Sequence, residues 1–373
     1  MQGLDLENYI YLRLLLSVEG IGTGKILLLL NKYNSPKEIF SVGYHSLTQV
    51  DRINHTLANR ILSASKSFHE IESLVHDEQN KLEKLNSHII TYWDEEYPEL
   101  LKRIYYPPLV LYVKGKFIEQ DKYTIAVVGT RNPTNYGKTQ AENIAASFAQ
   151  QNIVTVSGMA RGIDSIAHKT ALKNEGRTIA VIGSGLDVIY PPENNKLFHE
   201  IAENGLVISE YELGTKPDAQ NFPKRNRIIS GISHGTVVIE TGLTGGALQT
   251  AAYALDQNRE VFAVPGNLGV KQSEGTNTLI QKGEAKLVRD SEDILVELEF
   301  KLKPIIGKTI AKPSIELNLF EEKIMAQIKE QPIHIDQIAD NCSMNTAECL
   351  VHLLALEFKG AVKQLPGKMF AAV

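Results

Sequence analysis

The stretch IVTVSGMARGIDSIAHKTAL, residues 153–172, joins an apolar, β-branched run to a segment with helical spacing. The run ends at Gly158, and a second glycine, Gly162, precedes the part in which apolar residues return every three or four positions. β-Branched residues favour strands, and glycine permits a tight turn. The stretch therefore predicts a buried strand, a glycine turn and a helix.

Five further apolar runs follow the same rhythm. They are YTIAVVG (123–129), TIAVIG (178–183), GLVISE (205–210), GTVVIE (235–240) and REVFAVPG (259–266). Strands buried on both faces read as continuous apolar runs, and most of these runs precede a segment with helical spacing. The pattern predicts the α/β class, with a Rossmann-like parallel sheet at 86–300 that includes a short lead-in.

Residues 1–85 predict a separate helical domain, of the SAM or helix-hairpin-helix type. Apolar residues recur there at helical spacing between short breaks of Gly, Pro and Asn. The turn VEGIGTGK, residues 18–25, has glycines that would let backbone N–H groups face a DNA phosphate. A plain connection between two packed helices fits the same turn equally well, because Lys25 is the main positive charge nearby.

The segment 301–314 is rich in Pro, Gly and Lys and predicts a linker, and residues 315–373 read as three helices followed by two short strands. This is the order of a winged-helix-like domain. The segment carries five lysines against eight acidic residues, a net charge of −3, and its expected recognition helix, NTAECLVHLLALEFKG, is apolar and acidic. Few cations are present to displace counterions from DNA, so packing or contact with protein is the predicted role.

The overall charge excludes a generally basic surface. The 373 residues include 39 Lys and Arg against 44 Asp and Glu, a formal net charge of −5, so a site for a polyanion must be a local patch. Asp5 and Glu7 stand where a secretory signal needs positive charge, and the apolar runs are shorter than a membrane span. We expect a cytoplasmic protein without membrane contact. The two cysteines lack metal-ligand spacing and predict no metal site.

Glycines, hydroxyls and arginines follow the apolar runs at the place where such folds bind ligands, beyond the carboxyl ends of the strands. Glycine lets the main chain approach a ligand, hydroxyls donate hydrogen bonds, and helix N-termini present free N–H groups, a combination that suits phosphate. The candidates are Gly129, Thr130 and Arg131; Ser157, Gly158 and Arg161; Gly183, Ser184 and Gly185; and Thr241, Gly242, Thr244, Gly245 and Gly246.

A local basic patch lies between the last two of these tips. The segment NFPKRNRIISGIS, residues 221–233, places Lys224, Arg225 and Arg227 within four residues, shortly after the aromatic Phe222. Glycines at strand ends are often plain turns, and arginines on a helix are often solvated or paired. Since all these elements should meet at one edge of one sheet, we expect that edge to bind phosphates.

A dinucleotide cofactor does not fit this edge. GSGLDV, residues 183–188, matches half of the GxGxxG pattern, and prolines follow where the phosphate-binding helix should continue. Chemistry on a nucleotide needs a carboxylate or an activated nucleophile, yet the loop at 242–252 has no acidic residue, which leaves Glu210 and Glu240 as plausible general bases. We expect no cofactor and no catalytic residue, with a nucleotide-binding or nucleotide-hydrolysing Rossmann-like enzyme as the alternative.

Six motifs in this order resemble the DNA-processing protein A family (DprA, also called Smf). They are VVGTRNPTNYG (127–137), VSGMARGIDSIAHKTAL (156–172), AVIGSGLDVIYPPEN (180–194), ISEYELGTKPDAQNFPKRNRIISGIS (208–233), VVIETGLTGGALQTAAYALDQNREVFAVPGN (237–267) and SEGTNTLIQKGEAKLV (273–288). Together with the flanking helical and winged-helix-like domains, the resemblance covers nearly the whole chain.

The resemblance implies a non-enzymatic protein of natural transformation, DNA uptake and recombination. Such a protein binds incoming single-stranded DNA, protects it, and loads the RecA recombinase onto it past single-strand-binding protein. Members form homodimers through the Rossmann-like domain and hold the DNA backbone with positive residues at its tips. Carried onto this chain, the DNA-binding residues are Arg131, the turn from Ser157 to Asp164, and the segment from Phe222 to Ile228, which adds Asn226.

For the turn SGMARGID, residues 157–164, we expect phosphate binding without chemistry. Its glycines would let the chain turn, N–H groups from about residue 160 onward would face the anion, and Asp164 would hold an arginine in place. Arg131 and Lys224 would complete the site from neighbouring tips. Phe222 and Tyr136 are the candidates for stacking on exposed bases.

Overall fold

The computed structural model describes residues 4–298, 318–328, 333–342, 344–359, 361–365 and 368–372. The chain divides into two compact units between residues 307 and 308. The predicted linker at 301–314 lies outside the described residues. None of the helices in the described ranges is long and apolar enough to cross a membrane.

Six helices form the N-terminal part of the larger unit. They are α1 (Leu6–Ser17), α2 (Thr23–Lys32), α3 (Pro36–Ser41), α4 (Tyr44–Thr48), α5 (His55–Ala64) and α6 (Phe68–Lys84). The carboxylate of Asp5 begins α1 by accepting the backbone N–H of Asn8. Fully buried side chains such as Leu12, Ile26 and Ile61 form a core that continues onto one face of the neighbouring sheet.

Nine strands of the described chain form that sheet. They are β1 (Ser87–Thr91), β2 (Val110–Gly115), β3 (Thr124–Gly129), β4 (Val154–Ser157), β5 (Thr178–Ile182), β6 (Leu206–Ser209), β7 (Gly235–Ile239), β8 (Glu260–Ala263) and β9 (Lys286–Leu287). Their order is β1-β2-β6-β5-β4-β3-β7-β8-β9. The strands from β3 to β9 run parallel, and β2 is antiparallel to both of its neighbours. The predicted Rossmann-like parallel sheet is confirmed, with an antiparallel pair added at one edge.

Helices connect and flank these strands. They are α7 (Glu99–Lys102), α8 (Asn135–Gln150), α9 (Ile163–Lys173), α10 (Asn195–Asn204), α11 (Asn221–Gly231), α12 (Gly246–Asp256), α13 (Lys271–Gln281) and α14 (Ser291–Glu297). In β5, Ile179 and Val181 belong to one hydrophobic cluster, and Ala180 and Ile182 belong to another. Both faces of the sheet are therefore buried, which is why its strands read as continuous apolar runs.

The order of the strands reverses between β3 and β7. From β3 the chain proceeds through β4, β5 and β6 on one side, and then crosses to β7, β8 and β9 on the other. Open α/β sheets bind ligands at such a switch point, beyond the carboxyl ends of the strands. The loops that follow β3 and β7 are therefore the expected place for a site.

The smaller unit is confirmed as a winged helix. It contains α15 (Leu319–Gln327), β10 (Ile333–His334), α16 (Ile335–Cys342), α17 (Thr346–Phe358), β11 (Val362–Leu365) and β12 (Met369–Ala372). The three strands form an antiparallel sheet in the order β10-β12-β11. Ile338, Leu353 and Phe370 are fully buried in its core. The sequence pattern missed β10, which is two residues long.

Candidate nucleic-acid interface

A cleft of about 650 Å³ opens at the switch point between β3 and β7. Its lining comes from the tip after β3, the turn after β4, the start of α11 and the loop after β7, together with Tyr190. Among the lining residues are Gly129, Thr130, Arg131, Phe222, Arg225, Asn226, Thr241, Gly242, Gly245 and Gly246. The fold thus brings together residues that lie more than a hundred positions apart in the chain.

The tip after β3 projects Arg131 into this cleft. A side chain at Gly129 would lie 2.0 Å from the carbonyl oxygen of Ile239, so this position has room for glycine alone. The next residue, Thr130, donates its N–H to the carbonyl oxygen of Glu240 over 2.7 Å. Arg131 is exposed, its guanidinium carbon lies 5.9 Å from the ring centre of Phe222, and no described residue forms an ion pair with it.

Glu240 ties the tips after β3 and β7 together. It is buried and has a φ of 50°, a left-handed backbone conformation that is strained for glutamate. Its carboxylate accepts the backbone N–H of Thr134 over 2.8 Å and also the hydroxyl of the same residue. Glu210, the other general base considered from the sequence, is paired with Arg227. Both carboxylates are therefore engaged in contacts that hold the fold.

The backbone of the turn SGMARGID binds the carboxylate of Asp164, which is part of the turn itself. One oxygen of the Asp164 carboxylate accepts the N–H groups of Gly158 over 3.2 Å and of Ala160 over 3.3 Å. The buried hydroxyl of Ser157 donates to the carbonyl oxygen of Val127 over 2.6 Å. Ser157 and Gly158, two of the predicted DNA-binding residues, thus have their polar groups engaged inside the fold.

The predicted basic segment separates into three environments along α11. Lys224 is exposed, Arg227 is half-buried against Glu210, and Arg225 is 5% exposed. The guanidinium of Arg225 donates to the carbonyl oxygens of Gly158, over 2.6 Å, and of Val181. The expectation that all three cations form one solvent-facing patch is therefore wrong, since helical geometry turns Arg225 inward.

Arg225 and Asp164 place opposite charges beneath the cleft. Burial lowers the pKa of Arg225 to about 10, although the Asp164 carboxylate works in the opposite direction. Burial likewise raises the pKa of Asp164, while Arg225 and the N–H groups of Ala160 and Gly158 oppose this shift. The expected role of Asp164, to hold an arginine in place, agrees with this proximity. The pair forms the floor of the cleft.

Tyr190 and Gly183 pack against the ring of Phe222. Its ring centre lies 5.6 Å from that of Tyr190, and a side chain at Gly183 would approach its Cδ1 atom to 3.0 Å. Gly183, at the tip after β5, therefore packs against Phe222, whereas Tyr190, farther along the same loop, lines the cleft. Ser184 donates to the carbonyl oxygen of Val188 over 2.7 Å and is occupied there. Tyr190 was missed by the sequence reasoning, although it belongs to the quoted segment YPPEN.

Arg161 lies on the outer side of the same edge. Its side chain is 50% exposed and is paired with the equally exposed Glu193, with Nη2 3.1 Å from Oε2. Tyr136, the second predicted stacking residue, is exposed, and its hydroxyl donates to the carbonyl oxygen of Pro265 over 2.8 Å. Both side chains are on the surface.

Two family models match the chain. Residues 88–299 match DNA recombination-mediator protein A, and residues 311–368 match the DprA winged helix domain. The chain is also 32% identical to protein Smf of Synechocystis over 95% of its own length and 96% of that protein.

Solved structures agree with these matches. DNA processing protein A from Streptococcus pneumoniae is 33% identical, with a TM-score of 0.64 over 80% of this chain and 99% of that one. A structure of DNA processing protein A from Helicobacter pylori, described as giving insight into its single-stranded DNA binding mode, has a TM-score of 0.53 at 33% identity, over 59% and 97% of the two chains. On the motifs, the fold and these matches, the chain belongs to the DprA/Smf family of DNA recombination mediators.

Proposed function

We propose that this protein binds single-stranded DNA at the edge formed by the tips after β3 and β7, and acts there without chemistry. The observation that supports this most directly is Arg131, an exposed cation beside a cleft of about 650 Å³ with no ion-pair partner among the described residues. Lys224 adds a second exposed charge, and Gly242 lets the backbone approach a ligand. Phosphates would contact these groups, in sequence-independent fashion.

Single strands should be preferred over duplex because an aromatic side chain lies among the cations. Phe222 is half-buried at the cleft, within 5.6 Å of Tyr190 by ring centres, and a base can stack on such a surface when it is not paired with another strand. The Helicobacter pylori relative is described as a single-stranded DNA binder. In a duplex the bases already stack on each other and cannot use this surface.

A binding role without catalysis fits the carboxylates of the site. Glu240 accepts hydrogen bonds from Thr134, and Glu210 is paired with Arg227, so neither is poised as a free base. The alternative is an enzyme that acts on nucleotides. Incubation with nucleoside monophosphates followed by chromatography separates the two, since turnover that disappears in Glu240→Gln would favour the enzyme.

The wider role in our proposal rests on membership of the family. We propose that the chain works in the cytoplasm as a homodimer, with domains at 1–85, 86–300 and 315–373, and that it protects incoming single strands and loads RecA onto them past single-strand-binding protein during natural transformation. A RecA strand-exchange assay on DNA coated with single-strand-binding protein tests loading. A monomer by light scattering at micromolar concentration would contradict the dimer.

The winged helix takes a protein-contact or packing role in this proposal. Three apolar side chains of α17 are exposed: Leu350 (37%), Val351 (65%) and Leu354 (38%). A helix that reads DNA would carry cations on that face. Removal of residues 315–373 should therefore leave the affinity for single strands nearly unchanged.

The experiment that tests the central claim is a salt titration of binding, with a labelled single strand and the matching duplex compared side by side. We expect tighter binding of the single strand, weak dependence on base sequence, and a linear fall of log affinity with log salt. Equal affinity for the two nucleic acids would contradict the proposal. Competition by a mononucleotide as strong as that by the oligonucleotide would favour a sensor of small phosphates, because a chain of contacts should bind far more tightly.

A further inference from the structure

A second depression lies beside the cleft, between the first turns of α8 and α9. It has a volume of about 480 Å³, and four cationic side chains line it: Arg131, Lys138, Arg161 and Lys169. Glu193 also lines it. We call this depression the outer groove. No role was predicted for Lys138 or Lys169 from the sequence motifs.

The outer groove adjoins the cleft, because the two share Arg131 as a lining residue. A small recess between them is lined by Arg131, Arg161, Tyr190 and Phe222. Arg131 lines the cleft, the recess and the outer groove, and Phe222 lines the cleft and the recess. A chain that lies in the cleft can therefore pass over Arg131 into the outer groove without leaving the surface.

The cations of the outer groove differ in whether they form ion pairs. Lys138 and Lys169 are exposed, and neither forms an ion pair with any residue in the described ranges. Arg161 is paired with Glu193, and each side chain of that pair is 50% exposed. This pairing raises the pKa of Arg161 and lowers that of Glu193. Among the described residues, the groove thus offers two ammonium groups and the Arg131 guanidinium without ion pairs, and one guanidinium that is paired with a carboxylate.

We propose that the outer groove binds a second stretch of the sugar-phosphate backbone, on the 5′ or the 3′ side of the nucleotides in the cleft, and that Glu193 competes with that backbone for Arg161. This inference rests on the proposed function, since the strand must first enter the cleft. Lys138 and Lys169 then contact phosphates directly. Arg161 does so after a phosphate replaces the Glu193 carboxylate, and because the replaced pair is exposed, its loss costs little.

The test compares oligothymidylates of about 4 and about 16 nucleotides, the range of site sizes known for single-strand-binding folds. Each phosphate contact on a single strand contributes about 0.7 to the slope of log affinity against log salt. The double variant Lys138→Ala/Lys169→Ala should lower that slope by about 1.4 for the long oligonucleotide, which is roughly a 25-fold loss at 0.1 M salt relative to 1 M. The short oligonucleotide, held in the cleft, should bind as it does to the wild type.

A matched control comes from Lys173→Ala/Lys282→Ala, which removes two exposed lysines that do not line the cleft, the recess or the outer groove. This control should bind both lengths like the wild type. Equal losses for the short and long oligonucleotides, or no loss for either, would overturn the proposal while leaving the proposed function intact. A wild-type protein that binds neither length would overturn both.

Glu193→Gln tests the competition. The neutral amide keeps the size of the side chain but leaves Arg161 unpaired, so the affinity for the long oligonucleotide should rise and the salt slope should increase by about 0.7. The melting temperature, measured beside it, should remain close to that of the wild type because the pair is exposed. An unchanged or reduced affinity of a folded Glu193→Gln protein shows that Glu193 is not a competitor.

Discussion

Arg13 and Arg131 show the two ways in which this molecule uses arginine. The side chain of Arg13 is 11% exposed, and its Nη1 atom lies 2.5 Å from Glu78 and 2.9 Å from the hydroxyl of Tyr112. Its Nη2 atom lies 2.6 Å from Glu212. Arg131 is exposed, with no ion pair in the part of the chain that the structure describes.

The difference follows from the cost of removing charge from water. A buried ion needs partners inside the fold, because an unpaired charge there costs several kcal/mol. An exposed cation needs none and remains available to a ligand. Arg13 joins α1, α6, β2 and the loop after β6, and therefore serves the architecture. We expect loss of Arg13 to affect folding and loss of Arg131 to affect binding.

The largest effect is expected from Arg13→Met. This change leaves the buried carboxylate of Glu78 without its cation, so the free energy of unfolding should fall by about 3–5 kcal/mol. Urea denaturation measures this. Lys196→Met, which breaks the exposed pair with Glu200, is the control and should cost less than about 1 kcal/mol. Similar small losses in both variants would show that burial does not distinguish the two classes of charge.

Phe222→Ala should have the next largest effect, and it should appear in binding. The loss of a stacking surface weakens binding of a single strand by about 1–3 kcal/mol per base. The salt slope should stay unchanged, because no phosphate contact is removed. Phe222→Tyr keeps the ring and should retain most of the affinity. A reduced salt slope in Phe222→Ala would indicate that the ring positions Arg131 and does not stack on a base.

The layout of the fold could be predicted from the sequence because it depends on local patterns. A run such as TIAVIG is buried on both sides, and its apolar continuity is visible without knowledge of its neighbours. Since the carboxyl ends of parallel strands share one edge, the positions of Arg131 and Gly242 near one cleft followed from the same patterns. The antiparallel position of β2 was not visible, since it depends on pairing with β6, which lies far along the chain.

Whether each charged side chain is buried, paired or exposed was harder to predict from the sequence. Arg225 precedes Ile228 and Ile229 by three and four residues, so it lies on the apolar face of α11, a signal that was present but not used. The ion pair of Arg161 with Glu193 joins the turn after β4 to the loop after β5, and the sequence of neither segment indicates it. The burial and pairing of charged side chains depend on tertiary contacts, which the patterns of a single sequence do not show.

His168 gives a further test inside the larger unit. Its ring is fully buried, its Nδ1 atom lies 2.6 Å from the hydroxyl of Thr178, and its Nε2 atom has no hydrogen bond within standard geometry to any residue that the structure describes. Burial, with a contribution from Arg225, lowers the pKa of His168 from 6.5 to about 3. Below pH 6.5 the unfolded chain therefore gains a proton that the folded chain does not, and stability falls as the pH drops.

The expected size of this effect is about 1.4 kcal/mol per pH unit between roughly pH 6 and pH 4, on top of the contribution of the carboxylates. His168→Gln removes the titrating group and should flatten the dependence by that amount. Urea denaturation of both proteins at several pH values measures the difference. Parallel curves for the two proteins would mean that His168 takes up its proton in the folded state as readily as in the unfolded one.

The smallest effect should come from the exposed cations, and it should be confined to binding. Arg131→Ala and Lys224→Ala each remove about 0.7 from the slope of log affinity against log salt, or about 1 kcal/mol for each tenfold change in salt. The double variant should therefore lose about 1.4 in slope, and its melting temperature should match that of the wild type because neither side chain has an ion-pair partner in the described ranges. Lys173→Ala/Lys282→Ala again serves as the control. A double variant with an unchanged slope would show that the strand does not contact this edge. The tips after β3 and β7 would then serve only to stabilise the fold, as Arg13 does.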